Sequence, residues 1–161
     1  MLVNYFKLIV LIVLGSLLSV GAFATHNKAG EITYKKLSGL TYEITITTYT
    51  DFGASSAAAD RCELPISWGD GRTDTLSRTN GSAGSNCNHA GVKIPGTNYK
   101  INKYVGQHTY PGNGEYIISM EDPNRIEGIK NIPNSVGIPF FIKSTLIIHP
   151  LLGSNSSPEL S

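Results

Sequence analysis

The side chains best suited to acid–base chemistry or metal ligation are His26, His89, His108 and His149. No two of them stand at the H-x-H or H-E-x-x-H spacing that aims two imidazoles at one ion. The acidic candidates are Asp51, Asp60, Asp70, Asp74, Glu121 and Asp122. Calcium needs several converging oxygens, and Asp70 with the Glu121–Asp122 pair are the candidate ligands if one end of a fold gathers them. No EF-hand or RTX spacing supports that site, so these carboxylates read first as solvated or turn-capping groups. Glycoside hydrolysis would need two carboxylates facing each other across a groove, and nothing in the sequence favours such a pair. No G-x-S-x-G element offers a serine nucleophile. Cys62 and Cys87 lack C-x-x-C neighbours for a zinc site. As an even pair in an exported chain they read as a disulfide, worth about 3.5 kcal/mol in the chain-entropy treatment of its loop. The expectation is a protein with no catalytic residues, no cofactor and no dedicated metal site.

The first residues set the compartment. Lys7 precedes an almost unbroken apolar run from Leu8 to Leu18, and Ala22-Phe23-Ala24 supplies a small-x-small cleavage pattern. Residues 1–24 are therefore predicted to be a cleavable signal peptide, cut between Ala24 and Thr25. The apolar run is short for a span of roughly 20 residues. Lys7 is the only charged side chain before Thr25, which leaves 12 Lys and Arg against 12 Asp and Glu. A balanced charge without a basic run argues against nucleic acid as a partner. Contact with a membrane is expected only through the export signal.

The elements that must position these side chains are strands. Over Leu40 to Tyr49 the even positions are mainly apolar and the odd ones mainly polar, the period of a half-buried strand. Further strands are predicted over Glu31–Lys36, around Leu64, Ile66 and Trp68, over Arg72–Arg78, Tyr99–Tyr110 and Tyr116–Met120, and from Ile138 to His149. In the last, Ile138, Phe140, Ile142, Leu146 and Ile148 share one face. Asp70-Gly71 is a hairpin signal. Residues 79–98 read mostly as a small, polar loop, and Asp122–Val136 as a long ordered one. About seven strands separated by turns is the layout of an immunoglobulin-like β-sandwich. It occupies residues 25–150. Residues 151–161 have the composition of a linker leading to a further region.

Two motifs stand out: Trp68-Gly69-Asp70-Gly71, and His108-Thr109-Tyr110-Pro111-Gly112-Asn113-Gly114-Glu115-Tyr116 about 40 residues on. Trp68 is expected to supply buried area at a sheet centre. Gly69 and Gly71 let the backbone fold tightly around Asp70, whose carboxylate caps turn N–H groups. Tyr116 stands where a tyrosine-corner hydrogen bond would lock a sandwich edge. Together the motifs resemble the signatures of PKD domains in order and spacing, although no aromatic separates Trp68 from Gly69. The resemblance implies a PKD-like sandwich in which Trp68, Gly69, Asp70, Gly71, His108, Tyr110, Gly114 and Tyr116 are structural.

A second resemblance covers most of the chain after the signal. The stretches Thr25 to Tyr34, Tyr42 to Thr50, Glu121 to Arg125 and Asn131 to Val136 are similar to the N-terminal region of gliding-motility-associated C-terminal-domain surface proteins of Bacteroidota. It implies a secreted or cell-surface, adhesin-like protein. Its partners would be neighbouring domains of a longer chain, with surface glycans or other proteins as possible ligands. The leading expectation is a non-enzymatic structural or interaction module. The alternatives are a carbohydrate-binding sandwich, with Tyr49, Phe52, Tyr99 and Tyr104 as stacking aromatics, and an accessory domain of a secreted hydrolase.

Overall fold

The alternation that marks Leu40–Tyr49 places the spine of one sheet. The structure, a computed structural model, describes residues 27–53, 60–84, 87–123, 125–153 and 155–158. The predicted signal, its cleavage pair Ala24 and Thr25, and His26 lie outside the described residues. The strands are β1 (Asn27–Ser38), β2 (Thr41–Asp51), β3 (Glu63–Ser67), β4 (Thr73–Ser77), β5 (Val92–Lys93), β6 (Tyr99–Thr109), β7 (Gly114–Asp122) and β8 (Phe140–Ile148). They form two antiparallel four-stranded sheets, ordered β1-β2-β6-β5 and β4-β3-β7-β8. This is the expected all-β, immunoglobulin-like sandwich, with eight strands among the described residues.

The period-two pattern decides what is buried. From β2, Tyr42, Ile44 and Ile46 point inward, and from β7, Tyr116, Ile118 and Met120. Leu64 and Ile66 of β3, Tyr104 of β6, and Leu146 and Ile148 of β8 complete the meeting of the two inner faces. Fully burying one such side chain stabilises the fold by about 1.5–3 kcal/mol before conformational entropy is subtracted.

Two expectations are corrected. The loop after Arg78 contains a strand: Val92 and Lys93 pair with Ile101 and Lys100 of β6. Two residues are too few to show a period. Ile138 does not join the buried face of β8 and is 42% exposed. Pro139 has no N–H for a ladder, and pairing with β7 starts at Phe140, opposite Asp122. Within the stretch read as a linker, residues 155–158 lie along β1. After a short 3-10 turn at Pro150–Leu152, the Ser157 N–H donates to the Tyr34 carbonyl (2.8 Å) on the open edge of β1.

Candidate functional site

Both ends of the sandwich gather side chains capable of chemistry, and β3 runs between them. At its C-terminal end the chain turns through Gly69-Asp70-Gly71, closed by a hydrogen bond from the Trp68 N–H to the Arg72 carbonyl (3.0 Å). Gly69 has φ +86° and Gly71 φ +90°. A Cβ on Gly69 would also stand 2.6 Å from the Ile117 nitrogen, so this turn passes against β7 closely enough to require glycine. Inside it, one Asp70 oxygen accepts the Arg72 N–H (3.0 Å) and the other meets His108 Nε2 (2.8 Å).

The Asp70 and His108 side chains are 2% and 9% exposed. Burial alone would raise the Asp70 pKa. The hydrogen bond from His108, the Arg72 N–H and the positive charge of these neighbours outweigh it, and the carboxyl is held below its ordinary value. An ionised carboxylate only accepts hydrogen bonds, so the proton of this contact sits on His108 Nε2.

The imidazole is clamped as well as hydrogen-bonded. Trp68 stacks on it with ring centroids 4.7 Å apart and planes 5° from parallel, and Tyr110 meets it edge-on at 4.8 Å. Tyr110 packs in turn on Tyr116 (4.3 Å) and Tyr42 (6.0 Å). Burial, followed by the Asp70 charge and the neighbouring tyrosines, pushes the Tyr110 hydroxyl pKa upward. Tyr116 Oη donates to the Gly112 carbonyl (2.9 Å), the expected tyrosine corner. Gly114 lies beside that ring, where an added Cβ would touch it at ordinary contact distance. The two motifs are thus one cluster, assembled from the β3–β4 turn and the β6–β7 corner.

The opposite end carries a network that sequence reasoning missed. Arg78, whose side chain is 1% exposed, donates from Nη2 to Asp60 Oδ1 (2.6 Å) and from Nη1 to the His89 carbonyl (3.3 Å). It also donates to the Arg61 carbonyl, which accepts the Tyr104 hydroxyl too (2.7 Å). Lys100 Nζ reaches Asp60 Oδ2 (2.6 Å) and the Ala90 carbonyl (3.2 Å). Burial lowers the Lys100 pKa against the pull of Asp60. Burial would lower that of Arg78 as well, but Asp60 and Tyr104 reverse the direction, and the guanidinium stays charged. One visible signal existed: Lys100, Asn102 and Tyr104 occupy successive inward positions of β6, and an inward Lys needs a buried partner. The Cys62–Cys87 disulfide is formed at this end, tying the loop after Arg78 to the start of β3.

The proposed calcium ligands are not brought together. Asp122 is buried beside Arg61, with Nε 2.9 Å from its carboxylate, just ahead of β3, whereas Asp70 follows the far end of that strand. Glu121 is exposed on the outer face. Among the described residues no three His, Cys, Asp or Glu side chains form a group able to hold a metal ion. Of the aromatics considered for sugar stacking, Tyr104 is buried. Tyr99 lies under the Lys28 ammonium at 4.0 Å and Phe52 under that of Lys93 at 4.7 Å. Tyr49 is half-buried on the outer face. No helix among the described residues is long and apolar enough to cross a membrane. Comparison with family models, curated proteins and solved structures returns no match for this chain.

Proposed function

We propose that this chain is a non-enzymatic, extracellular structural or interaction module of a secreted or cell-surface protein, built on a PKD-like sandwich. The observation that carries the reading is the buried Asp70–His108 pair with Trp68 stacked on it. Asp70 and His108 are engaged with each other, and the Asp70 carboxylate also caps the turn. The disulfide is compatible with an oxidising compartment, as is the export signal in the sequence. The lysines lying over Tyr99 and Phe52 weigh against an open sugar-stacking platform. On this reading the module spaces or connects neighbouring domains of a surface protein.

Trp68→Ala tests it. If Trp68 is architecture, the variant loses about 3–5 kcal/mol of a total that for such domains is about 5–15 kcal/mol, and its melting temperature falls steeply. A glycan array compared for the two proteins supplies the second readout. An unchanged melt together with lost glycan binding would replace the structural reading by the carbohydrate-binding one.

A further inference from the structure

The open edge of β1 is covered in an unusual way. Of the three hydrogen bonds joining its backbone to residues 155–158, one is backbone to backbone, from the Ser157 N–H to the Tyr34 carbonyl. The other two use serine hydroxyls where an added strand would present carbonyls. The Tyr34 N–H donates to Ser157 Oγ (3.1 Å) and the Lys36 N–H to Ser156 Oγ (3.2 Å). Two side-chain ties assist: Lys36 Nζ to the Gly153 carbonyl (3.1 Å), and Asn155 Nδ2 to the Ile147 carbonyl of β8 (2.9 Å). The segment is a strap across the seam between the two sheets, and it imitates a strand without being one. Exposed edges of this kind are templates for pairing with another chain.

The edge beneath the strap is self-complementary. Tyr34 and Lys36 direct backbone groups outward, and alternation gives Ile32 the same direction. In an antiparallel pairing of two β1 strands about a two-fold axis at Thr33, Ile32 of each copy exchanges hydrogen bonds with Tyr34 of the other. The outer-face side chains then meet as Thr33 with Thr33 and Glu31 with Lys35. Within one copy, Glu31 already lies opposite Thr47 and Thr47 opposite Lys103, while Lys35 lies opposite Glu43. Crossing the new seam, the row would read Lys103, Thr47, Glu31, then Lys35 and Glu43 of the second copy. The charges alternate in sign across the junction.

We propose that β1 is a homodimerisation edge for a second copy of this chain, and that residues 155–158 form a displaceable strap that holds it closed. The proposal is independent of export and of the PKD-like reading.

The test uses the full chain after the signal, with Ser156→Ala and Ser157→Pro together, which remove both hydroxyls and the Ser157 N–H. Light scattering on a size-exclusion column should find the parent monomeric and the strap variant dimeric, with circular dichroism confirming that both are folded. Adding Lys35→Glu should weaken the dimer by about tenfold or more, since two attractive cross-strand pairs become repulsive. Adding Glu31→Lys as well should restore it. Thr33→Cys in the strap variant should form a disulfide between copies, because a non-hydrogen-bonded pair sits about 4.5 Å apart at Cα; Lys35→Cys, facing Glu31, should not. A folded strap variant that stays monomeric would overturn the proposal. So would a dimer indifferent to Lys35→Glu, or one that Thr33→Cys fails to cross-link.

Discussion

The two ends of this sandwich solve the burial of polar groups differently. At the Trp68 end, one carboxylate is matched by one imidazole and a backbone N–H, and flat rings fill the space around them. At the Asp60 end, two buried cations share one carboxylate, the surplus is absorbed by the carbonyls of Arg61, His89 and Ala90, and a disulfide fastens the loop that supplies two of them. The first arrangement draws its stability largely from aromatic area. The second stands on compensation between desolvated charges, where removing one member unbalances the rest. A shared fold therefore does not imply shared sensitivity: the Asp60 end should respond to loss of charge and the Trp68 end to loss of area.

Arg78→Ala is expected to have the largest effect of the substitutions that probe this contrast, about 3–5 kcal/mol, because Asp60 loses the guanidinium and the Arg61 carbonyl loses a donor. Lys100→Met should cost clearly less, since Arg78 still holds Asp60 and a desolvated ammonium is removed. Urea midpoints of the two variants compare them directly. Equal losses would mean that the cations are equivalent and that the burial of Arg78 has no special weight.

An intermediate effect is expected from Asp70→Asn, about 2 kcal/mol at neutral pH, the scale of a hydrogen bond to a charged group. Because the folded-state pKa of Asp70 is lowered from 3.8, its contribution is fully present above that value and is lost as pH falls through the folded value. Unfolding curves of the parent and of Asp70→Asn should therefore lie apart at pH 7 and converge below about pH 4. Curves that converge on raising the pH would carry the opposite sign and refute the assignment.

The smallest effect is expected from Tyr116→Phe, about 1 kcal/mol, by loss of the hydrogen bond to the Gly112 carbonyl. It should appear as a melting shift of a few degrees, with the near-ultraviolet signal of the aromatic cluster otherwise retained. A shift as large as that of Trp68→Ala would show that the hydroxyl, and not the ring, organises this corner.

Much of the Trp68 end was legible because its grammar is local. Gly69-Asp70-Gly71 caps itself over three residues, Tyr116 reaches back four, and period-two alternation in β6 and β7 carries His108, Tyr110 and Tyr116 to the same place. At the Asp60 end the Cys62–Cys87 disulfide was legible, but the charge network was not. Asp60 meets Lys100 across 40 residues, and Asp122 meets Arg61 across 61. No spacing rule links such partners, nor Asp70 with His108 across 38 residues; only the folded topology brings them together. The strap escaped for a related reason: Asn155-Ser156-Ser157-Pro158 has the composition of a linker, and its pairing is decided by the vacant edge of β1, more than a hundred residues earlier.

The central claim, that the motif side chains act on each other, is tested most directly by a double-mutant cycle between Asp70→Asn and His108→Ala, read by urea unfolding at pH 7. The account predicts a coupling of about 1–2 kcal/mol, within the range for residues in one hydrogen-bonded network. Losses that add within about 0.3 kcal/mol would mean that Asp70 and His108 do not depend on each other, and the architectural reading of the motif would be contradicted.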